Sequence, residues 1–255
     1  MKIVIIGAGN LATHLSLALQ QAGQQIVQVY SRTAASASML ADLLQAPFTT
    51  HPDEIVPDAD VYFYAVSDDA LETLVQLPVA RHAIHVHTAG SVSIDVFQGR
   101  KEKYGVFYPL QTFSKAKKLD FKKIPVFIEA SVPEVEEALF QLANAVSEQV
   151  YSINSEQRLK LHVAAVFACN FVNHLYHIAS DVVHSANFSF DVLKPLIMET
   201  AEKVMLLSPE KAQTGPSKRN DKSVINKHID VLNESPDLSK IYQELSDMIQ
   251  NQYLH

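Results

Sequence analysis

The clearest chemistry in this sequence lies in Gly7-Ala8-Gly9-Asn10-Leu11-Ala12. The run fits G-x-G-x-x-G/A and stands between an aliphatic stretch, Lys2–Ile6, and an amphipathic segment. Each position then has a task. Gly7 permits a tight turn, Gly9 lets a pyrophosphate approach the backbone, and Ala12 is small enough for a helix to pack on the strand. A helix opening at Asn10 and Leu11 offers unbonded N–H groups and the positive end of its dipole to phosphates. A second aliphatic stretch, Ile26–Tyr30, ends in Ser31-Arg32-Thr33. A carboxylate at such a strand end accepts from a ribose 2′-hydroxyl and marks NAD. An arginine suits a 2′-phosphate instead, because its planar donors match phosphate geometry, and Ser31 and Thr33 add hydroxyl donors. The expected cofactor is therefore NADP.

Two further strand ends point to the same cleft. "AVSDDAL" and "HTAGSVS" each follow an apolar run. In open α/β sheets ligands sit beyond the carboxyl ends of the strands. Val66, Ser67, Thr88, Ala89, Gly90 and Ser91 are thus expected around the nicotinamide. Asp68 and Ser93 read as helix N-caps. Farther on, His162, Asn170, Asn173, His177 and Asp181 fall along one side of a long helix at ~100° per residue. An imidazole titrating near neutrality could deliver the proton that accompanies hydride transfer, and an amide could hold a carbonyl, imine or carboxylate. The same polar stripe could instead lie at a dimer seam.

Other groups read less sharply. His174 and His177 are three apart with no third ligand in view, so no metal is expected. His85 and His87 alternate on a strand, which could turn one of them into the cleft, and read as structural. Cys169 sits among Ala and Phe and reads as a buried apolar thiol. Lys218, Arg219 and Asp221 follow Gly215-Pro216 in a polar loop that could hold an anionic substrate, in its own subunit or a partner's.

The elements that must position these groups follow from periodicity. "KIVIIG", "IVQVYS", "DVYFYAV", "AIHVHTAG", "YGVFYP" and "PVFIEA" are strand-like, rich in β-branched and aromatic residues. Between them Leu11, Leu15, Ala18, Leu19 and Ala22 repeat at helical spacing until Gly23, and Ser36–Gln45 and Pro133–Ser147 are further helices. Strand–helix alternation predicts a doubly wound, mostly parallel α/β sheet of the Rossmann type. From about Ser155 the β signal stops. Ser155–His184 reads as one helix with Leu161, Ala165, Ala168, Val172, Tyr176, Ala179 and Val183 as its apolar stripe. Helices over Val192–Leu207, Ser223–Asn233 and Asp237–Tyr253 follow. The expected domains are 1–152, binding NADP, and 153–255, all helical.

Composition narrows the partners. A net charge of -7 argues against a nucleic-acid backbone. The lone cysteine rules out an internal disulfide and suits a reducing compartment. The N-terminal run is too short for a secretory signal, and no apolar run approaches the ~18 residues of a membrane span. A cytoplasmic location is expected.

"HTAGS", "GVFYPLQTFS", "LHVAAVFACNFVNHL" and "TGPSKRND" together carry a resemblance. The N-terminal half resembles the NADP-binding domains of pyrroline-5-carboxylate reductase and the deazaflavin-dependent NADP reductase. The whole chain is similar to a family of Rossmann-like proteins, assigned as oxidoreductases, that carry a helical C-terminal domain of unknown function. The resemblance implies a helical domain of the 6-phosphogluconate dehydrogenase C-terminal type, an NADP-linked reductase fold and a homodimer formed through the helical half. It implies catalytic roles for His162 and Asn170, and a substrate site that draws on Ser91, Tyr108, Gln111, Thr112 and Arg219. This chain has Tyr108 where family members often have His before Pro-Leu-Gln-Thr-Phe, which removes an imidazole. It has Arg219-Asn220-Asp221 where they often have Arg-Gly-Asp, which removes a glycine turn. A β-hydroxyacid dehydrogenase would need a lysine on the active face of the long helix, and Lys160 points elsewhere. The expected function is reduction of a small carbonyl, imine or acid with NADP(H). The alternative is a non-catalytic NADP(H) sensor or regulatory protein.

Overall fold

A computed structural model describes residues 1–77, 79–80 and 82–253. The chain forms two compact units, Met1–Leu175 and Tyr176–His255. The first is built on an eight-stranded sheet. In chain order it contains β1 (Lys2–Ile6), α1 (Asn10–Gln21), β2 (Gln25–Tyr30), α2 (Ala34–Leu44), β3 (Phe48–Thr49), β4 (Val61–Tyr64), α3 (Asp68–Leu74), β5 (Ile84–His87), β6 (Lys103–Pro109), β7 (Val126–Ala130), α4 (Pro133–Val146) and β8 (Val150–Ser152). The strands lie in the order β3-β2-β1-β4-β5-β6-β7-β8. Every pairing is parallel except β6 with β7. The Rossmann-type, mostly parallel sheet expected from the sequence is therefore present. The six strand-like stretches all form strands; β3 and β8 were not foreseen, because two or three residues carry no readable period.

The central strands are apolar throughout because both faces are covered. On β1, Ile3 and Ile5 face the side packed by α1, α2 and α4, through Leu15, Leu19, Leu40, Leu139 and Leu142. Val4 and Ile6 face the other side, with Tyr62, Tyr64, Leu71, Leu74 and Phe97. Strand order reverses between β1 and β4, which opens the crevice where such folds take ligands. α1 starts on one side of that point and α3 on the other.

The segment after β8 is helical: α5 (Ser155–Ala165), a π-helical stretch (Val166–Phe171) and α6 (Val172–Ser185). The single long helix expected from periodicity is thus interrupted, and no glycine or proline announces the interruption. Its expected apolar stripe is also not a buried one. Among the described residues of this segment only Arg158 is fully buried, while Leu159, Val163, Phe167 and Phe171 are exposed.

In the second unit, α7 (Lys194–Leu206), α8 (Pro209–Ala212), α9 (Lys222–Val231) and α10 (Pro236–Tyr253) complete the chain. His228 and the Tyr242 hydroxyl, 2.7 Å apart, join α9 to α10. Asp221 caps α9 by accepting from the Val224 N–H. Asn220 stands at φ 54°. Asparagine tolerates that left-handed conformation, so the turn is kept although the family's glycine is gone. Lys218 donates to the Gln213 carbonyl at 2.8 Å, and its ammonium lies over the Tyr253 ring.

Candidate active site

A cleft of about 900 Å³ opens at the carboxyl ends of β1, β2, β4, β5 and β6, entirely within the first unit. Its dinucleotide end is made by the turn after β1. Gly7 has φ +119°, and a Cβ there would stand 2.2 Å from the Ala65 carbonyl oxygen, so only glycine lets the turn close onto β4. A Cβ on Gly9 would meet nothing within 4 Å, which leaves that backbone open to the cleft.

The helix termini here differ from others in the unit. α1 starts at Gly9 with no side-chain cap and no acid in its first turn, and α2 starts at Thr33 in the same condition. α5, by contrast, has a capping box from Asn154 and Gln157, and α4 has Glu134 and Glu136 in its first turn. Two positive helix ends are thus unanswered at this cleft. Arg32 precedes the start of α2, is exposed, and has no carboxylate partner among the described residues. Ser31, Thr33 and Ser36 stand beside it in the cleft wall. This donor set fits a dinucleotide with a 2′-phosphate.

The other end is built by the loop after β5, by β6 and by α5. The Tyr108 hydroxyl lies 3.0 Å from His162 Nδ1. Burial pushes the Tyr108 phenol up, while the charge of Arg158 pulls it down. Gly90 lies under His162: a Cβ there would come within 2.6 Å of the ring. The π-helical stretch matters at this point. In an α-helix Asn170 would be turned roughly 80° from His162. The wider π turn takes up about one extra residue, and Asn170 lines the same cleft as His162.

The helix is held by an anchor the sequence did not disclose. Arg158, wholly buried, pairs with Glu129 of β7 and donates to the Val92 carbonyl. Glu129 also accepts from the Ser155 N–H and hydroxyl, each at 2.9 Å. Arg158 lies one turn before His162, so the pair fixes the imidazole against the loop of Gly90. An arginine in a polar stretch of helix gives no signal of burial until its partner strand is known.

Of the residues expected from sequence, the cleft gathers Gly7, Gly9, Asn10, Leu11, Ser31, Arg32, Thr33, Val66, Ser67, Thr88, Ala89, Gly90, Tyr108, Gln111, Thr112, His162 and Asn170. Ser91 is not in its wall; its hydroxyl donates to the Asp68 carboxylate. Arg219 belongs to the second unit. Three expectations need correction. Asp68 is not a cap: Ser67 holds that position, and Asp68 is the first residue of α3 and lines the cleft. Cys169 is exposed in the cleft wall rather than buried, because its part of the helix faces the opening and not the sheet. The polar stripe is not continuous through the helix, since the π turn shifts its phase. His85 and His87 are structural, as read, and lie in the aromatic layer with Tyr62, Tyr64 and Phe97. His85 bonds the Tyr64 hydroxyl and the Ala80 carbonyl, and His87 Nδ1 accepts from the Ala89 N–H. Burial pushes them down to about 4 and about 3. Ser93 caps its turn by accepting from the Asp95 N–H.

Residues 2–95 match the family described as NADP oxidoreductase, coenzyme F420-dependent, and residues 124–249 match a domain of unknown function, DUF2520. Among solved structures, a Bacteroides fragilis protein named provisionally as an NADP oxidoreductase is 47% identical, with 98% of each chain covered and a TM-score of 0.94. An imine reductase from Myxococcus stipitatus in complex with NADP+ is 15% identical, covers 100% of both chains and has a TM-score of 0.64. A pyrroline-5-carboxylate reductase from Streptococcus pyogenes is 12% identical over 98% of both chains, with a TM-score of 0.64. At those identities the last two show a shared fold. A comparison with curated proteins finds no match. No helix among the described residues is long and apolar enough to cross a membrane.

Proposed function

Because the chain belongs to the NADP oxidoreductase family that carries the DUF2520 domain, we propose that it reduces a small carbonyl or imine with NADPH in the cleft of the first unit. The observation that carries this reading is the Tyr108–His162 pair, 3.0 Å apart, in the same cleft as the glycine turn and Arg32. NADPH, when bound, supplies the hydride. Gly9, the open end of α1 and the Arg32 guanidinium would hold its phosphates. Tyr108, kept neutral by burial, gives its phenolic proton to the substrate oxygen or nitrogen as the hydride arrives. His162, with Nδ1–H toward the phenol oxygen, passes that proton to Tyr108 as its Nε2 takes one from solvent, so the ring relays the proton without becoming an anion. Asn170 offers an amide to orient the substrate. The phenol thus takes the task that the family's imidazole at this place would have performed. No observation favours the sensor reading.

Calorimetric titration with NADPH, NADP, NADH and NAD tests the cofactor end: NADPH binds much tighter than NADH, and Arg32→Ala removes the preference. NADPH oxidation across keto acids, aldehydes and cyclic imines tests the reaction. His162→Ala and Tyr108→Phe should each abolish turnover of whichever substrate responds while leaving nucleotide affinity intact. Turnover retained by both variants would sink the mechanism.

The second unit completes the proposal. Met205 and Leu206 are 83% and 84% exposed within one chain, and Leu196, Met198 and Val231 are also bare. A second copy of this chain covers these apolar faces, giving a homodimer through the helical half.

A further inference from the structure

The segment after β6 is tied to the glycine turn at three successive residues. Asn10 Nδ2 donates to the Phe113 carbonyl at 3.0 Å, His14 Nε2 lies 2.9 Å from the Ser114 carbonyl oxygen, and Lys115 Nζ donates to the Ala8 carbonyl at 2.9 Å. The Phe113 ring lies against those of His14 and Phe121. Phe113–Lys115 therefore forms a strap across the opening turn of α1, and Gln111 and Thr112, just before it, line the cleft. Among the described residues Lys115 is the only cation hydrogen-bonded to the stretch Gly7–Leu11.

Charge balance gives this contact a purpose. A dinucleotide's pyrophosphate carries two negative charges, and a helix N-terminus answers with only about half a unit. Arg32 stands at the end of β2, in the place of the adenosine ribose. An ammonium has three donors, and the Ala8 carbonyl takes one. Resting on the reading that this cleft holds NADP(H), we infer that Lys115 is a pyrophosphate ligand, carried over the glycine turn by the Phe113–Lys115 strap. Lys115 lines the neighbouring cavity along α1 rather than the cleft itself, but its Nζ bonds the carbonyl of Ala8, a residue of the cleft wall. A rotation of the side chain about that contact turns its free donors to the phosphate oxygens beside Gly9, and the strap's backbone contacts to Asn10 and His14 keep the ammonium in reach.

The test is calorimetry with NADPH, NADH and adenosine 2′-monophosphate, which lacks the pyrophosphate, on the wild type, Lys115→Met and Lys115→Arg. Lys115→Met weakens both dinucleotides by the same factor, roughly tenfold or more, as expected for one charge-assisted hydrogen bond. It leaves adenosine 2′-monophosphate unchanged, and Lys115→Arg restores most of the loss. Arg32→Ala gives the opposite pattern, weakening NADPH and adenosine 2′-monophosphate but not NADH. Unchanged dinucleotide affinity in Lys115→Met overturns the assignment, and equal weakening of all three probes reduces Lys115 to a structural tie. A wild type that binds neither dinucleotide overturns the cofactor reading and this inference with it, and is distinguishable because the wild type itself then fails.

Discussion

Ile3, Ile6, Phe63 and Phe107 in the sheet are 0% exposed, whereas Phe167, Val231 and Leu206 on the helices beyond Ser155 are 63%, 74% and 84% exposed. In α5 the usual order is inverted: Arg158 is buried and Leu159 and Val163 are bare. The sheet closes its own core because helices cover both faces within one chain. The helical region leaves apolar faces that one chain does not cover. A doubly covered sheet is a self-sufficient scaffold; the helices beyond Ser155 leave apolar side chains exposed, and α5 is held to the sheet by one polar anchor, Arg158 on Glu129.

The largest effect should come from that anchor. Arg158→Met leaves the half-buried Glu129 carboxylate without its partner and should cost about 3 kcal/mol in urea unfolding, more than any single truncation on the exposed faces. A loss below about 1 kcal/mol would mean that the helix is held by apolar packing after all.

Acid should strike the sheet region next. His85 and His87 titrate at about 4 and about 3 in the folded protein, below the ordinary 6.5. As pH falls the unfolded chain takes up these protons first, so the histidines' contribution is full above about pH 6.5 and is lost progressively toward pH 4. The loss amounts to roughly 3 kcal/mol per histidine. Denaturation curves at pH 7 and pH 4.5 measure it, and replacing both residues by Gln should remove most of the dependence. A flat profile in the wild type contradicts their buried neutral state.

Gly90 probes the seam between sheet loop and helix. Gly90→Ala pushes a methyl into the space of the His162 ring and should lower turnover about a hundredfold, the order of effect expected for a displacement of ~1 Å. If turnover survives, the ring's position is not what the reaction needs. The smallest effect on folding is expected at Leu206: Leu206→Glu should alter the stability of the single chain by no more than about 0.5 kcal/mol yet abolish self-association in sedimentation measurements. A variant that still forms dimers would place the interface elsewhere.

What could be read directly from the residues is what local rules govern. A glycine turn between an aliphatic strand and an amphipathic helix has one economical geometry, and β-branched runs alternating with helices admit few topologies. Gly7, Gly9 and Arg32 could therefore be assigned to one cleft from spacing alone, and the shift from strand to helix near Ser155 is plain in the period. The tertiary structure decided whatever depends on a distant partner or on helical phase. Glu129 is 29 residues from Arg158 and Lys115 is 107 from Ala8, and no periodicity links residues across such gaps. The π turn displaces Asn170 by about one position without any compositional mark. Burial at Arg158 and exposure at Cys169 follow from which face of the helix meets the sheet, and that orientation is set by long-range packing.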